Sequence, residues 1–330
     1  MAWRALLLGL VVIAALAAGG AWLLLLDAPP PGGASVEFTI SAGETFAEVA
    51  SNLQHEGLVV SAARTRLLAR VVGLDRKTRA GTFRLLRGTR PLRLLDDLAF
   101  GPLVLRKVTV CEGWRLAQIA AAVQDSLKIP AEALLSAARA PERRARVGTH
   151  AADVEGYLFP DTYLFPQGAA AGAVLDAMID RFEEVWRELP GAAAAGSRRD
   201  DVVTLASIVE AETPLAAEKP RVAAVYLNRL ARGWKLQADP TVRYGLGYFE
   251  DHLYFKQLDV DTPYNTYLHE GLPPGPIGSP GRDALEAALA PQRPCDDLFF
   301  VASGQGGHVF SRTMEAHERA RRAARAASPG

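Results

Sequence analysis

Cysteine is nearly absent: Cys111 and Cys295 are the only two in 330 residues, and they stand far apart. That excludes a disulfide framework and a thiolate metal site. The six histidines are scattered, with no H-x-x-x-H spacing, so the sequence gives no reason to expect a metal or another cofactor. An excess of basic charge is missing as well. Lys plus Arg and Asp plus Glu both number 37. Nothing is left over to release counterions from a nucleic acid, and nucleic acid is not an expected partner. Hydrophobic and charged contents of 49% and 22% are globular values, so a substantial core is available.

What the chain does have begins near its amino terminus. Ala5 to Leu26 is a run of 22 residues without a charge, enough for roughly 33 Å of helix, the thickness of a bilayer core. Arg4 precedes the run and Asp27 follows it. The positive-inside bias then predicts residues 1–4 as a cytoplasmic end, 5–26 as a single-pass transmembrane anchor and the body outside the cytoplasm. The competing reading is a cleaved signal peptide, with Ala15-Leu16-Ala17 as the cleavage site. The apolar run continues past that site through Trp22 to Leu26, which favours the uncleaved anchor. Residues 27–35, rich in Pro and Gly, follow as a linker.

Beyond the linker the chain repeats itself at an offset of 70 residues: the stretch from Ile40 to Ala50 is answered by the stretch from Val110 to Ala120. Each copy reads as a short strand, a Gly turn and an amphipathic helix. Phe46, Val49, Ala50 and Leu53 form one apolar face, and Leu116, Ile119, Ala120 and Val123 the other. Ala80 to Leu86 alternates as a strand, and Pro91 to Phe100 starts a helix with Pro in its first turn. These signals predict a small α+β module over 36–150 and a second, mixed α/β domain over 151–330, richer in Tyr, Asn, Gly and Pro. Within the second domain, helices are expected over Val174–Leu189, Asp201–Glu212 and Pro220–Arg232, with an Ala/Gly loop over Gly191–Ser197. The Arg/Ala-rich helix Thr313–Ala327 reads as a solvated surface with no function of its own.

The segment Val202 to Glu212 is apolar on nearly every side, which predicts a buried central helix. A carboxylate at its end is then unusual, because burial raises a carboxyl pKa towards the range of a general acid. Glu210 and Glu212, two positions apart, point to nearly opposite faces and must act separately. The ordinary reading is a Glu that reaches water from a helix end, and burial alone does not choose between the two. Around this helix stand side chains suited to holding sugar. Asn228, Gln237, Asp239 and Asn265 offer planar amides and carboxylates; Tyr157, Trp234, Tyr244, Tyr264 and Tyr267 offer flat apolar faces. Each is equally at home in a turn or a core. Gly271 to Gly281 has too many Gly and Pro for helix or sheet and reads as a stiff loop of the kind that lines sites.

Leu205 to Thr213, Val225 to Leu230, Leu236 to Val242, Tyr264 to Tyr267 and Gly271 to Ile277, with Glu155 to Tyr163, Phe300 to Ala302 and Gly307 to Phe310, together resemble the endolytic murein transglycosylase family, also called YceG-like. Cys111 departs from its pattern, standing where the family usually has Pro before Glu-Gly. The resemblance implies a bacterial enzyme on the periplasmic side of the cytoplasmic membrane that cuts peptidoglycan glycan strands internally. It implies that the small module is LysM-like and that peptidoglycan synthases of the elongation machinery are neighbours. It puts the catalytic acid at the first Glu of the Ser-Ile-Val-Glu motif, Glu210. That leaves Glu155, Tyr157, Asn228, Gln237, Asp239, Tyr264 and Asn265 as candidate substrate contacts. On this reading Glu210 protonates the glycosidic oxygen and then deprotonates the muramic 6-hydroxyl, closing a 1,6-anhydro ring without a second carboxylate. A hydrolytic muramidase needs two, with Glu155 or Asp239 as the second, and a non-catalytic wall-binding scaffold needs none.

Overall fold

Alternation in Ser35 to Ile40 and Gly81 to Leu86 produces strands β1 (Ser35–Ile40) and β2 (Gly81–Leu86), paired antiparallel with Phe38 opposite Phe83. The computed structural model describes residues 33–41, 43–248 and 253–327, with positions 3, 9–11, 14 and 20. Most of the anchor expected over 5–26 and most of the linker lie outside the described residues, among which no helix is long and apolar enough to cross a membrane. Helices α1 (Phe46–His55), α2 (Ala62–Val72) and α3 (Pro91–Phe100) complete the amino-terminal part. Thr45 and Glu48 form a capping box at the start of α1, and Gly73, left-handed at φ 70°, ends α2. Val49 and Leu53 of α1 pack with Phe38, Phe83, Leu94 and Leu98 in one core. The predicted apolar face of the first repeat copy is thus the one that is buried.

The second copy forms β3 (Leu105–Thr109) and α4 (Leu116–Leu127), again strand, turn and helix, with Leu116, Ile119, Ala120 and Val123 buried. It does not belong with the first. The chain divides into two compact units: the first holds residues up to Lys107 with Ser126–Ile129 and Leu164–Ala170, and the second holds the remainder. By this division Val108–Asp125 and Pro130–Tyr163 group with the carboxy-terminal part of the chain. Most of α4 packs in the larger unit, because its amino terminus is held there by Glu155.

The chain continues through α5 (Ala131–Ala138), α6 (Pro141–Val147), β4 (Thr162–Pro166, paired with β3) and α7 (Ala171–Glu188). A single turn, α8 (Ala192–Ala195), replaces the loop expected at Gly191–Ser197. Then come α9 (Arg199–Glu212), α10 (Lys219–Ala231), α11 (Asp239–Gly245) and α12 (Arg282–Leu289). The hairpin β5 (Phe299–Ala302) and β6 (His308–Ser311) precedes α13 (Met314–Ala327). The fold is α+β, with small two-stranded sheets. Helix α9 is the central one the sequence predicts: every residue from Val203 to Val209 is buried, and α10 and α12 pack against it. The Gly/Pro loop before α12 is pinned to it where the Ile277 amide donates to Ser207 Oγ at 3.0 Å.

Gly156 sits in the left-handed region at φ 84°, and a Cβ there would come within 2.4 Å of Pro276 Cβ in that same loop. Gly156→Ala should cost about 2 kcal/mol or more and lower Tm clearly. Gly148→Ala, at φ 71° with nothing within 4 Å, should cost about 1 kcal/mol. Paired thermal melts that show equal losses would refute close packing at Gly156.

Candidate active site

Two residues along a helix turn the side chain by roughly 200°, so Glu210 and Glu212 leave the last turn of α9 on opposite sides. Glu210 faces inward. Its Oε1 accepts a hydrogen bond from Lys219 Nζ at 2.7 Å and its Oε2 one from the Gly281 amide at 2.9 Å. The side chains of Lys219 and Glu210 are 3% and 6% exposed. Glu112 lies against the same glycine, so close that a Cβ on Gly281 would sit 1.9 Å from its Oε1. Partial burial, and then the neighbouring Glu210 charge, raise the Glu112 carboxyl above its ordinary value. Gly113 donates to Ser279 O and Ser279 to Trp114 O, both at 2.8 Å, which joins the 111–114 turn to the Gly/Pro loop. Glu210 is therefore the hub where α9, α10, the turn and the loop meet.

Glu212 faces a cleft of about 460 Å³, shared with Tyr226, Gln237, Asp239 and Tyr267, strand β5, His308 of β6, and Met314, His317, Glu318 and Arg321 of α13. Burial pushes its carboxyl up to about 7, against the opposing effect of the Tyr226 hydroxyl, which donates to Glu212 Oε1 at 2.5 Å. The Asp239 charge adds to the rise. Burial and Glu212 in turn raise the Tyr226 phenol well above its ordinary value, so that it remains a neutral donor. Asp239 accepts from Tyr267 Oη at 2.6 Å. Gln237 holds a left-handed backbone, φ 51°, fixed by its amide donating to Thr266 O at 3.0 Å. A non-glycine residue in that conformation carries strain, which the surrounding bonds must outweigh. The cleft thus offers a carboxyl poised near neutrality, a second carboxylate, an amide and phenols. That set suits proton transfer to a polyhydroxylated substrate.

Of the expected substrate contacts, Gln237 and Asp239 line this cleft; the others have partners within the protein. Glu155 is buried and accepts from the Leu116 amide at 2.8 and 3.0 Å, capping α4; burial pushes its carboxyl up to about 8. Tyr157 is a core residue, its hydroxyl bonded to Asp200 at 2.7 Å and its ring edge-on to Phe182. Asn228 donates to Cys295 O at 2.9 Å and Asp297 O at 3.0 Å. Asn265, fully buried, donates to Leu258 O and Val260 O at 2.8 Å, shaping its own loop. Tyr264 packs on Tyr244 at 4.7 Å. Asn228 and Asn265 thus use their planar amides to hold loop backbones. Sequence reasoning also missed Tyr226 and His308 as cleft residues. Tyr226 carried a usable signal: a phenol on the apolar stripe of α10, four positions after the buried Val222. Helix α13, expected to be a solvated surface, walls the cleft with Met314, His317, Glu318 and Arg321. Its alanine-rich, arginine-rich pattern hid that face because the cleft it lines is itself polar.

Residues 38–323 match the model of the YceG-like family. A Bacillus subtilis (strain 168) protein named endolytic murein transglycosylase is 30% identical over 306 residues, covering 87% of this chain and 84% of its own length. The Streptococcus pneumoniae D39 protein of the same name is 28% identical over 315 residues, and this chain spans 56% of its length. A crystal structure of a yceG-like protein from Listeria monocytogenes superposes with a TM-score of 0.60 at 28% identity, over 87% of this chain and 99% of that one. The central helix with its two carboxylates and the Gly/Pro loop clasped to it lie within the matched span, and the chain belongs to the YceG-like family.

Proposed function

We propose that this chain is an endolytic lytic transglycosylase of peptidoglycan and that Glu212, rather than Glu210, is its proton donor. The observation that carries the assignment is the position of Glu212 on an open cleft with its carboxyl raised to about 7. Both Glu210 oxygens instead accept hydrogen bonds from protein donors. The motif points to the first Glu; the two protein donors on Glu210 and the open cleft at Glu212 support assigning the proton transfer to the second.

In the reaction, protonated Glu212 gives its proton to the oxygen that joins muramic C1 to the next N-acetylglucosamine. The C1–O bond breaks with its electrons going to that oxygen. The Glu212 carboxylate then takes the proton of the muramic 6-hydroxyl as O6 bonds to C1, so the 1,6-anhydro ring closes and no water is consumed. Tyr226 steadies the carboxylate between the two transfers, and Asp239 on the same cleft favours the positive charge that develops at C1. Asp239 also favours one alternative: as a second carboxylate on the cleft, it could serve a hydrolytic muramidase. The charge-free run Ala5–Leu26 supports a single-pass anchor in the cytoplasmic membrane with the enzyme on the periplasmic side. The first strand–turn–helix copy, β1 and α1, supports the LysM-like reading of the smaller unit. Catalysis beside the membrane suits nascent strands and the synthases of the elongation machinery.

Digestion of purified peptidoglycan by the full chain in detergent, followed by mass spectrometry, should give 1,6-anhydro-muramic ends; reducing muramic ends would establish the hydrolase instead. Glu212→Gln should lower kcat/KM by about 10²-fold or more with Tm little changed. Undiminished cleavage by that variant would discard Glu212 as the acid.

The donor must carry its proton, so activity should fall as pH rises through about 7. Asp239→Asn removes a charge that raises the Glu212 carboxyl, and should move the midpoint of that fall to lower pH. A midpoint unmoved or moved upward in the pH–rate profile would contradict the assigned electrostatics.

Lys219→Met leaves the Glu210 charge buried and unpaired and should cost about 3–5 kcal/mol in denaturant unfolding. Combining it with Glu210→Met should restore much of that loss. A double variant no more stable than Lys219→Met would show that the pair is not the structural hub.

A further inference from the structure

The cleft at Glu212 continues into a second hollow whose floor is an indole. Helix α10 ends at Ala231, and the chain reverses through Gly233, at φ 68°. Gly233 donates to Leu230 O at 3.0 Å and Trp234 to Arg229 O at 2.9 Å, so the backbone under Trp234 is fixed by two hydrogen bonds. Its ring is braced by Phe299 at 6.1 Å between centroids, tilted 51°, yet the residue is left 44% exposed. Beside it lies a hollow of about 420 Å³ lined by Trp234, Lys235, Gln237, Phe299, Thr313 and Met314, among others. Gln237, Phe299 and Met314 also line the Glu212 cleft, so the two hollows are stretches of one groove.

The indole shares its ring with the Arg232 guanidinium, 5.9 Å from the centroid, and its exposed part is a flat apolar surface on a rigid turn. The pyranose ring of a β-linked hexosamine presents a matching face of C–H groups. Around that face the ring carries hydroxyls and an acetamide, which the Gln237 amide, the Thr313 hydroxyl and the Lys235 ammonium can bond. We propose that the Trp234 hollow is a glycan subsite. An N-acetylhexosamine ring of the same strand whose linkage lies at Glu212 stacks there on the indole. The inference rests on the reading of the Glu212 cleft as the place of glycan cleavage. A strand cut internally extends on both sides of the scissile bond, and a groove that continues past the acid is what holds its further rings. The shared lining through Gln237 favours the glycan over a stem peptide, because one continuous polymer accounts for both hollows.

The test uses the full chain in detergent carrying Glu212→Gln, titrated with peptide-free MurNAc–GlcNAc oligomers of increasing length. Affinity should step up at the length that reaches Trp234. Adding Trp234→Ala should abolish that step, weakening long oligomers about tenfold and leaving shorter ones unchanged, whereas Trp234→Phe should keep most of it. Met314→Asp, on the exposed start of α13, should weaken long oligomers as well, and it provides the answer if Trp234→Ala does not fold. Long oligomers bound equally by the parent and the folded Trp234 or Met314 variants would overturn the subsite. So would a loss seen only with strands that bear stem peptides, which would assign the hollow to peptide. In both cases cleavage by the Glu212-containing protein leaves the transglycosylase reading intact. If no oligomer binds and peptidoglycan is not cut, the reading of the cleft itself fails and the subsite with it.

Discussion

A carboxylate and an ammonium buried together hold the last turn of α9 where the chemistry needs it. The Glu210–Lys219 pair places the start of α10 against the end of α9, and the remaining Glu210 oxygen takes the amide of Gly281 at the mouth of α12. Without that contact, three helix ends and a glycine-rich loop would have no common point. Desolvating two charges is expensive, and the pair yields little net stability over a well-packed apolar equivalent. What it yields is registration: only one arrangement of α9, α10 and the loop satisfies both groups. Because side chains advance by roughly 100° per residue around a helix, fixing Glu210 on one side fixes Glu212 on the other, with Tyr226 of α10 already in reach of it.

The cleft depends on this in a second way. Burial raises the Glu212 carboxyl to about 7, and Tyr226 and Asp239 act on it in opposite directions. Neither is a neighbour in sequence; both are brought near by α10 and α11 packing on α9. Acid strength is thus a product of helix packing, in the same way that the orientation of the carboxyl is. The left-handed Gln237 belongs to the same economy, since Thr266 holds a backbone conformation that an isolated chain would abandon.

Much of this was legible in the sequence, for reasons that are local. The all-round apolar pattern of Val202 to Glu212 marked the buried helix, and the apolar faces of α1 and α4 were correct residue by residue. Opposed faces for Glu210 and Glu212 followed from helix geometry alone. What could not be read was which face met solvent, because that depends on Lys219 and Gly281 on one side and on β5, β6 and α13 on the other. Asn228, Asn265 and Tyr157 illustrate the same gap. An amide that binds a sugar and one that closes a loop have identical chemistry, and only the tertiary partner tells them apart. The repeat was visible as pattern, but its second copy follows Glu155 into the larger unit, a long-range tie that no periodicity contains.

The wall that α13 adds to the cleft has a consequence in time. Glu212 and Tyr226 lie in the middle of the chain, whereas Met314 and Arg321 are made about a hundred residues later. At a synthesis rate of about 5–20 residues per second, the acid is outside the ribosome seconds before the wall that completes its groove. A chain still being synthesised therefore carries the Glu212 carboxyl without the α13 side chains that line its cleft. The cleft is complete only once that far segment has been made and folded, so its lining is assembled late.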